Sequence, residues 1–262
     1  EEIVELSSAV GLRWQADADS VRSIRLIDKI RESDDVTSFV FEARDGGPLA
    51  AFEPGQHLPI ELSVPGAGEP ARRTYSLSSS PGDDRYRITV KREPKGLVSG
   101  HLHDNLEPGA IIESRNPAGD FMMTCNVCPL VLVSAGVGVT PMVSILHAVT
   151  EENSDRPVWF VHGARDGNHH PLADEVRSLA ADHPNINLHV AYSRPGAEDN
   201  AGADYDSEGR VNGKLLADLV QNVDAHYFLC GPTRFMADIQ ADLERQHVPG
   251  DQIHFETFGP AG

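Results

Sequence analysis

The chain is poor in basic residues and aromatic residues, and it has no long apolar run. Its 262 residues include 22 Lys and Arg against 40 Asp and Glu, which gives a formal net charge of −18. This excess of acid argues against nucleic-acid binding, because phosphates are held by clusters of Lys and Arg. No stretch approaches the roughly 20 apolar residues that a membrane span needs, so none is expected. The length fits one large domain or two of about 100 to 150 residues.

Cysteine is scarce too: the chain has only Cys125, Cys128 and Cys230. One C-x-x-C pair cannot supply the four ligands of a structural zinc or a four-cysteine iron–sulfur cluster. We therefore expect no metal site, no disulfide framework, and a structural or incidental role for Cys125 and Cys128. Because no signal peptide is recognisable either, the expected location is a reducing cytoplasm. The start at Glu1, without methionine, suggests a fragment or a processed chain.

The pattern of the sequence changes near residue 125. Residues 1–20 are acidic and irregular and are interpreted as a linker or lead-in. In residues 21–124, short segments that alternate apolar and polar residues are separated by Gly and Pro turns, which predicts an antiparallel barrel or sandwich. In residues 125–262, continuous apolar strands alternate with helical segments. That pattern predicts a doubly wound α/β domain around a parallel sheet.

The segment SAGVGVTP (134–141) follows the apolar run PLVLV (129–133). A strand that passes through two glycines into a helix presents unpaired N–H groups and the positive end of a helix dipole, which suits a pyrophosphate. Thr140 is predicted to cap the helix, with Pro141 at its first position. The motif alone is equally compatible with a capped turn that binds nothing.

A second segment of interest is ARRTYSLSS (71–79), at the end of a predicted strand. Arg73 and Tyr75 would project to one side of that strand. Arg73 offers a bidentate fork for a phosphate, Tyr75 a flat face for an aromatic cofactor, and Ser76 a hydrogen bond. Taken alone, the segment is better explained as an ordinary edge strand followed by a turn.

Two further motifs lie near the C-terminus. CGP (230–232) places Cys230 at the carboxyl end of a parallel strand, where α/β sheets bind ligands. A single buried cysteine is more often a small apolar residue, and no neighbour in the sequence activates it. FETFGP (255–260) brings Glu256 and Phe258 together, or is simply a terminal strand and turn.

Together these motifs resemble the ferredoxin–NADP reductase superfamily, in which R-x-Y-S, G-x-G-x-T-P, C-G-P and E-x-F-G-P occur in this order. The closest resemblance is to the reductase half of flavohaemoglobins, over about residues 21–260. The sequence departs from that pattern in lacking a globin domain and in having His57 where the family often has tyrosine after P-G-Q. The segments that carry the resemblance are VKREPKGLVSGHLH (90–103), NPAGDFMM (116–123), SAGVGVTPM (134–142), DSEGRV (206–211), YFLCGPTRFM (227–236) and IHFETFGP (253–260).

The resemblance implies an antiparallel Greek-key barrel that holds FAD, followed by an α/β domain that binds NADH or NADPH. It implies an oxidoreductase that passes electrons from NAD(P)H through FAD to a one-electron acceptor, a haem or [2Fe-2S] domain or protein. The alternatives are a free flavin or metal reductase, and an FAD-binding electron-transfer module that does not oxidise NAD(P)H. Ser193 and Arg194 lie where some relatives hold a 2′-phosphate, but flavohaemoglobin-type reductases use NADH readily, and NADH is the favoured expectation.

The resemblance also implies roles for individual residues. Arg73 would contact the flavin diphosphate, Tyr75 would pack on the isoalloxazine, and Phe258 would cover its other face. The catalytic residues would be Ser76 near flavin N5, Cys230 beside the nicotinamide, and Glu256, which would tune the reduced flavin. The other expected FAD contacts are His57, Thr74, Val90, Lys91, Glu93, Gly96, Val98, Ser99, Thr257, Gly259 and Pro260. The other expected contacts of the nicotinamide dinucleotide are Gly136, Val137, Gly138, Val139, Thr140, Pro141, Ser193, Arg194, Gly231 and Pro232.

Overall fold

Two six-stranded sheets follow one another along the chain in the computed structural model. The structure describes residues 20–65, 68–123, 125, 127–152, 155–221 and 223–258. The first sheet is antiparallel and the second is parallel. The fold class expected from the sequence is therefore confirmed.

The first sheet closes into a barrel. Its strand order is β4-β3-β6-β1-β2-β5, and the two outer strands meet where Leu77 pairs with Ile88. Each strand turns alternate side chains inward, so the period-two pattern of the sequence fills one apolar core. The elements are β1 (Arg22–Arg31), β2 (Val36–Ala43), β3 (His57–Leu62), β4 (Ala71–Ser76), β5 (Tyr86–Lys91), α1 (Leu97–Asn105) and β6 (Ile111–Ser114).

The second sheet has helices on both faces and two separate apolar cores, one on each face. This explains the continuous apolar run of its first strand, since neither face of that strand meets water. The elements are β7 (Leu130–Ala135), α2 (Val139–Glu151), β8 (Val158–Ala164), α3 (Ala173–Asp182), β9 (Ile186–Tyr192), β10 (Ser207–Glu208), α4 (Gly213–Val220), β11 (His226–Cys230), α5 (Thr233–Arg245) and β12 (Ile253–Glu256).

The order of the parallel strands is β10-β9-β8-β7-β11-β12. From β7 the chain winds first towards β10 and then returns to the other side for β11 and β12. The strand order therefore reverses between β7 and β11, and α/β sheets bind ligands outside the carboxyl ends of the strands at such a point. SAGVGVTP and CGP follow these two strands.

The expectation that the chain has no disulfide is wrong, because Cys125 and Cys128 are bonded to each other. The spacing of two residues leaves the two sulfurs close enough to bond within a single loop. Cys230 is a free and buried thiol. Within the described residues, no helix has the length and apolar character to cross a membrane, and no group of three His, Cys, Asp or Glu is placed to hold a metal ion.

An ion pair joins the barrel to the α/β domain. The Arg87 guanidinium of β5 donates to both carboxylate oxygens of Glu175 on α3, at 2.8 Å each. The same carboxylate accepts a hydrogen bond of 2.6 Å from His147 Nε2 on α2. Burial alone would raise the pKa of Glu175, but the hydrogen bonds from His147 and Arg87 outweigh it and lower the pKa to about 2. Glu175 is therefore an anion that holds both domains.

We predict that Glu175→Gln destabilises the protein by about 2 kcal/mol at pH 7, because Arg87 and His147 lose their common anion. The folded pKa of about 2 lies below the ordinary 4.5, so this contribution is present above pH 4.5 and is lost as the pH falls towards 2. Urea unfolding at pH 7 and pH 3 measures it. The difference between wild type and variant should shrink at pH 3.

The matched control is Asp84→Asn. Asp84 lies 3.7 Å from Arg85, but its side chain is 93% exposed, so the substitution should change the free energy of unfolding by less than about 0.5 kcal/mol. A loss on Glu175→Gln that stays constant from pH 7 to pH 3 would contradict the assignment.

Candidate active site

A cleft lies between the barrel and the first turn of the α/β domain. Its cavity volume is about 160 Å³. Eleven lining residues come from the barrel, and Val137, Thr140 and Phe258 come from the other domain. The barrel residues are Arg73, Thr74, Tyr75, Ser76, Thr89, Val90, Lys91, Glu93, Gly96, Val98 and Ser99. All of them except Thr89 were expected FAD contacts.

Strand β4 supplies one wall of the cleft. Its alternation leaves Arg73 and Tyr75 half-buried on one side, while Arg72 points to solvent. Burial raises the pKa of Tyr75 to about 12, against a smaller lowering by Arg73, so the ring is neutral at pH 7. A neutral aromatic ring beside a guanidinium can receive a flat cofactor that carries a phosphate.

The N-terminal end of α1 forms a second wall. Gly96 precedes the helix and no side chain caps it, so the N–H groups of the first turn are left for another acceptor. Ser99 Oγ accepts from Glu93 N at 3.1 Å and contacts Gly96 closely, which leaves no room for a side chain on Gly96. A turn of this shape suits the pyrophosphate of a dinucleotide.

The glycine turn after β7 contacts the end of β11. Gly136 has φ 55°, a left-handed conformation that glycine adopts easily. A Cβ on Gly138 would collide with the carbonyl of Cys230 and would lie 2.8 Å from Gly231 N. Glycine is therefore needed at the two positions for different reasons. Gly136 permits the backbone conformation of the turn, and Gly138 allows the backbone of the turn to contact the backbone of β11. This contact brings SAGVGVTP and CGP together in space.

The predicted cap at Thr140 is wrong. Residues Gly136–Gly138 form a 3-10 turn that runs directly into α2, so the helix begins at Val139 and its N-cap is Gly138. Thr140 lies inside the first turn, where its hydroxyl donates to Val137 O at 3.0 Å. For the same reason Pro141 is the third helical residue and not the first.

Cys230 and Glu256 lie side by side at the carboxyl ends of β11 and β12. Cys230 is fully buried, and burial, followed by the charge of Glu256, raises its thiol pKa. The thiol is therefore protonated at pH 7 and is not a nucleophile. Glu256 is half-buried, and burial together with Asp120 raises its pKa. Phe258, two residues further along, is 40% exposed and reaches the cleft.

A second cleft, with a cavity volume of about 490 Å³, lies outside the carboxyl ends of β7, β8, β9 and β11. Two expected dinucleotide contacts, Ser193 and Pro232, line it. Arg210, Arg234 and Phe235 also line it and were not predicted. Arg210 belongs to the DSEGRV segment, which resembled the family without implying a role. The other lining residues are Ala135, Gly163, Ala164, Gly209, Val211, Asn212, Asp238, Ile239 and Asp242.

Several expected contacts are not among the residues that line either cleft. His57 pairs with Ser76 across β3 and β4, and its ring packs against Gly119. Burial lowers its pKa, partly offset by Asp120. Arg194 and Thr257 are exposed. Gly259 and Pro260 lie outside the described residues, so their expected contacts stay predictions.

The fold and the two clefts define a class of protein, an oxidoreductase that binds a flavin and a dinucleotide. The cleft between the domains fits FAD, because it joins an aromatic ring and a guanidinium on β4 to an uncapped helix terminus on α1. The second cleft fits a nicotinamide dinucleotide, because it lies at the switch point of the sheet and contains Arg210 and Arg234.

Comparison with known proteins agrees with this class. Residues 23–123 match the family described as oxidoreductase FAD-binding domain, and residues 132–241 match the oxidoreductase NAD-binding domain. A flavohemoprotein of Bacillus cereus is 37% identical over 246 residues, which is 92% of this chain and 61% of that protein. The chain thus spans about three-fifths of the curated relatives it matches.

Two solved structures are similar over most of the chain. The FAD/NAD-binding domain of nitric oxide dioxygenase from Vibrio cholerae has a TM-score of 0.82 and 35% identity, covering 91% of this chain and 99% of that one. Flavohemoglobin from Malassezia yamatoensis, solved with FAD and heme, has a TM-score of 0.78 and 26% identity, covering 91% and 60%. The chain belongs to the ferredoxin reductase family, in the group of the flavohaemoglobin FAD/NAD module, and is an FAD-dependent NAD(P)H oxidoreductase.

We predict that Gly138→Ala separates the glycine turn from β11, because the new methyl group would meet backbone atoms that have no room to move. FAD should remain bound, while kcat/KM for NADH falls about tenfold or more. The flavin absorbance and the NADH-dependent rate measure the two effects.

Gly250→Ala is the control, since a Cβ at Gly250 would meet nothing within 4 Å. It should leave both the flavin content and the rate unchanged. A Gly138→Ala variant with the wild-type rate would show that the turn tolerates separation from β11.

Proposed function

We propose that this module takes a hydride from NADH into FAD bound between the domains and passes electrons singly to a haem or [2Fe-2S] acceptor. The observation that carries the proposal is that Tyr75 and Ser76 of the barrel, Val137 and Thr140 of the glycine turn, and Phe258 share one cleft. Hydride transfer needs two rings stacked at reactive distance, and a cleft shared by both domains supplies a place for them.

Bound FAD supplies the redox chemistry, accepting a hydride and releasing single electrons. The protein's residues orient the bound rings and exclude water from the cleft. Tyr75 offers its ring on one side, and Phe258 covers the opening of the cleft until a nicotinamide displaces it. The Ser76 hydroxyl, which lines the same cleft, would hydrogen-bond near flavin N5. Cys230 and Glu256 lie at the end of the sheet where the nicotinamide would arrive.

A haem domain is the acceptor we favour, because the matched relatives are flavohemoproteins and are longer than this chain. The net charge of −18 would favour a positively charged partner surface. A [2Fe-2S] protein is the alternative acceptor. A free flavin or metal reductase would instead use small diffusible acceptors. We propose the cytoplasm as the compartment.

We propose NADH as the preferred donor. Arg194 is exposed and does not line the dinucleotide cleft, so the 2′-phosphate of NADPH gains no contact from it there. Arg210 and Arg234 line the cleft together with Asp238 and Asp242, whose charges oppose an additional phosphate.

Anaerobic stopped-flow mixing of the FAD-loaded protein with NADH, and in parallel with NADPH, tests the proposal. We expect rapid bleaching of the flavin by NADH, followed by reoxidation on mixing with a ferric haem protein. A flavin that neither nucleotide bleaches would overturn the function. Reoxidation by free flavin or ferric citrate, but not by ferric haem or a [2Fe-2S] protein, would support the diffusible-acceptor alternative.

Arg73→Ala should lose bound FAD, because Arg73 lines the cleft beside Tyr75 and would hold the diphosphate. We expect FAD affinity to fall about 30-fold or more, as for loss of a bidentate phosphate contact. Arg72→Ala is the control, since Arg72 lies on the opposite side of β4 and pairs with Glu61. A yellow, fully loaded Arg73→Ala protein would refute the role.

Cys230→Ser should keep its flavin spectrum and be reduced by NADH about tenfold more slowly, because the residue shapes the end of the sheet at the nicotinamide. Single-turnover reduction measures the rate, and the visible spectrum reports whether FAD is intact. Reduction at the wild-type rate would show that Cys230 has no part in hydride transfer.

A further inference from the structure

The connection between the two domains contains a disulfide that the reductase function does not use. The barrel's last strand ends at Ser114 and the next strand begins at Leu130. Cys125 and Cys128 are bonded within this connection. The bond therefore closes a small loop in the one covalent link between the FAD-binding and dinucleotide-binding halves.

The connection is clamped just before the loop. Phe121 packs edge-on against Phe228 in the core of the α/β domain, with ring centroids 5.4 Å apart. On its other side, the Phe121 carbonyl lies so close to Gly55 of the barrel that a side chain there would collide with it. Gly55 has φ 97°, which also favours glycine. Phe121 is thus held between both domains.

A buried arginine then holds the loop. The side chain of Arg156 is only 2% exposed. It donates to Cys125 O at 3.1 Å, to Met123 Sδ at 3.2 Å and to Glu152 at 3.3 Å. Arg156 thereby fixes the first half of the loop to the α/β domain, and the disulfide ties the second half to the first.

The disulfide lies in a partly exposed loop, and its two sulfurs have different neighbours. Both cysteines are partly exposed, and Val127 between them is 82% exposed. Cys128 N donates to Cys125 Sγ at 3.1 Å. An N–H directed at Cys125, with the Arg156 cation on the same residue's carbonyl, favours a thiolate at Cys125 once the bond opens.

We propose that Cys125–Cys128 is a redox-active exchange site, opened by an external dithiol, and that its opening loosens the connection between the two domains. The dithiol would be a small molecule or a protein with its own C-x-x-C pair. Disulfides in a reducing compartment are mostly of this exchanging kind.

A thiolate of the dithiol attacks Cys128 Sγ, a mixed disulfide forms, and Cys125 leaves as the thiolate that its neighbours stabilise. The second thiol of the dithiol then attacks the mixed disulfide and releases Cys128. Two electrons and two protons pass to this protein, and the dithiol becomes a disulfide. Neither FAD nor NADH takes part.

The first test uses the FAD-loaded protein with dithiothreitol under native conditions, quenched with N-ethylmaleimide and mapped by peptide mass spectrometry. We expect no label on Cys125 or Cys128 before reduction and complete label on both within minutes, while buried Cys230 stays unlabelled. Label on the pair before reduction, or no label after prolonged reduction, would overturn the proposal. These measurements need no reductase activity. A negative result would therefore overturn the exchange site without bearing on the proposed electron transfer.

The second test is hydrogen–deuterium exchange of the peptide over residues 118–132, with and without dithiothreitol. Reduction should speed hydrogen–deuterium exchange of this peptide about threefold or more, because the loop loses its covalent cross-link. The Cys125→Ser/Cys128→Ser double variant should exchange at the fast rate in both conditions. Equal exchange in oxidised and reduced wild type would show that the bond does not restrain the connection.

Single cysteine variants test whether the thiolate is favoured more at Cys125 than at Cys128. In Cys128→Ser, the remaining Cys125 should react with N-ethylmaleimide about fivefold faster at pH 7 than Cys128 does in Cys125→Ser, because its neighbours favour the thiolate. Equal rates, or the reverse order, would overturn the assignment of Cys125 as the leaving thiolate.

Discussion

The close contact between Gly138 and the Cys230–Gly231 peptide is the constraint on which the site depends. It lies between β7 and β11, where the strand order of the parallel sheet reverses. With no side chain between them, the glycine turn and the end of β11 meet backbone to backbone. This contact sets where Val137 and Thr140 stand in the cleft, and it keeps Cys230 beside that turn.

The position of the turn relative to the barrel depends on a second contact. Arg87 of β5, Glu175 of α3 and His147 of α2 form one charged group across the domain boundary. Val90 and Lys91 of β5 line the cleft, and α2 begins at the glycine turn, so this group connects two elements that contribute to the cleft. The FAD cleft is therefore a product of how the domains pack, and neither domain contains it alone.

Sequence patterns predicted the elements well where one physical rule dominated. The period-two segments became the barrel strands, and the continuous apolar run became β7, since burial of one or both faces sets those patterns. The cap at Thr140 was mispredicted because a 3-10 turn runs directly into α2. Residue preferences for helix caps do not reveal where such a turn ends and the helix begins. Arg210 and Arg234 were missed because they meet only after α4 and α5 have packed. The C-x-x-C spacing permitted a disulfide, but only the loop's geometry showed the bond.

Charge is distributed unevenly over the two clefts, and this distribution matches the chemistry of a dinucleotide pair. Two groups near the predicted ring-stacking zone are neutral at pH 7, because burial raises the pKa of Tyr75 to about 12 and raises the thiol pKa of Cys230. Arg73 lines the cleft between the domains, and Arg210 and Arg234 line the second cleft. Phosphates are held by fixed cations, whereas an aromatic ring system stacks on a flat, neutral side chain. The R-x-Y-S motif combines the two requirements, because Arg73 and Tyr75 lie on the same side of β4.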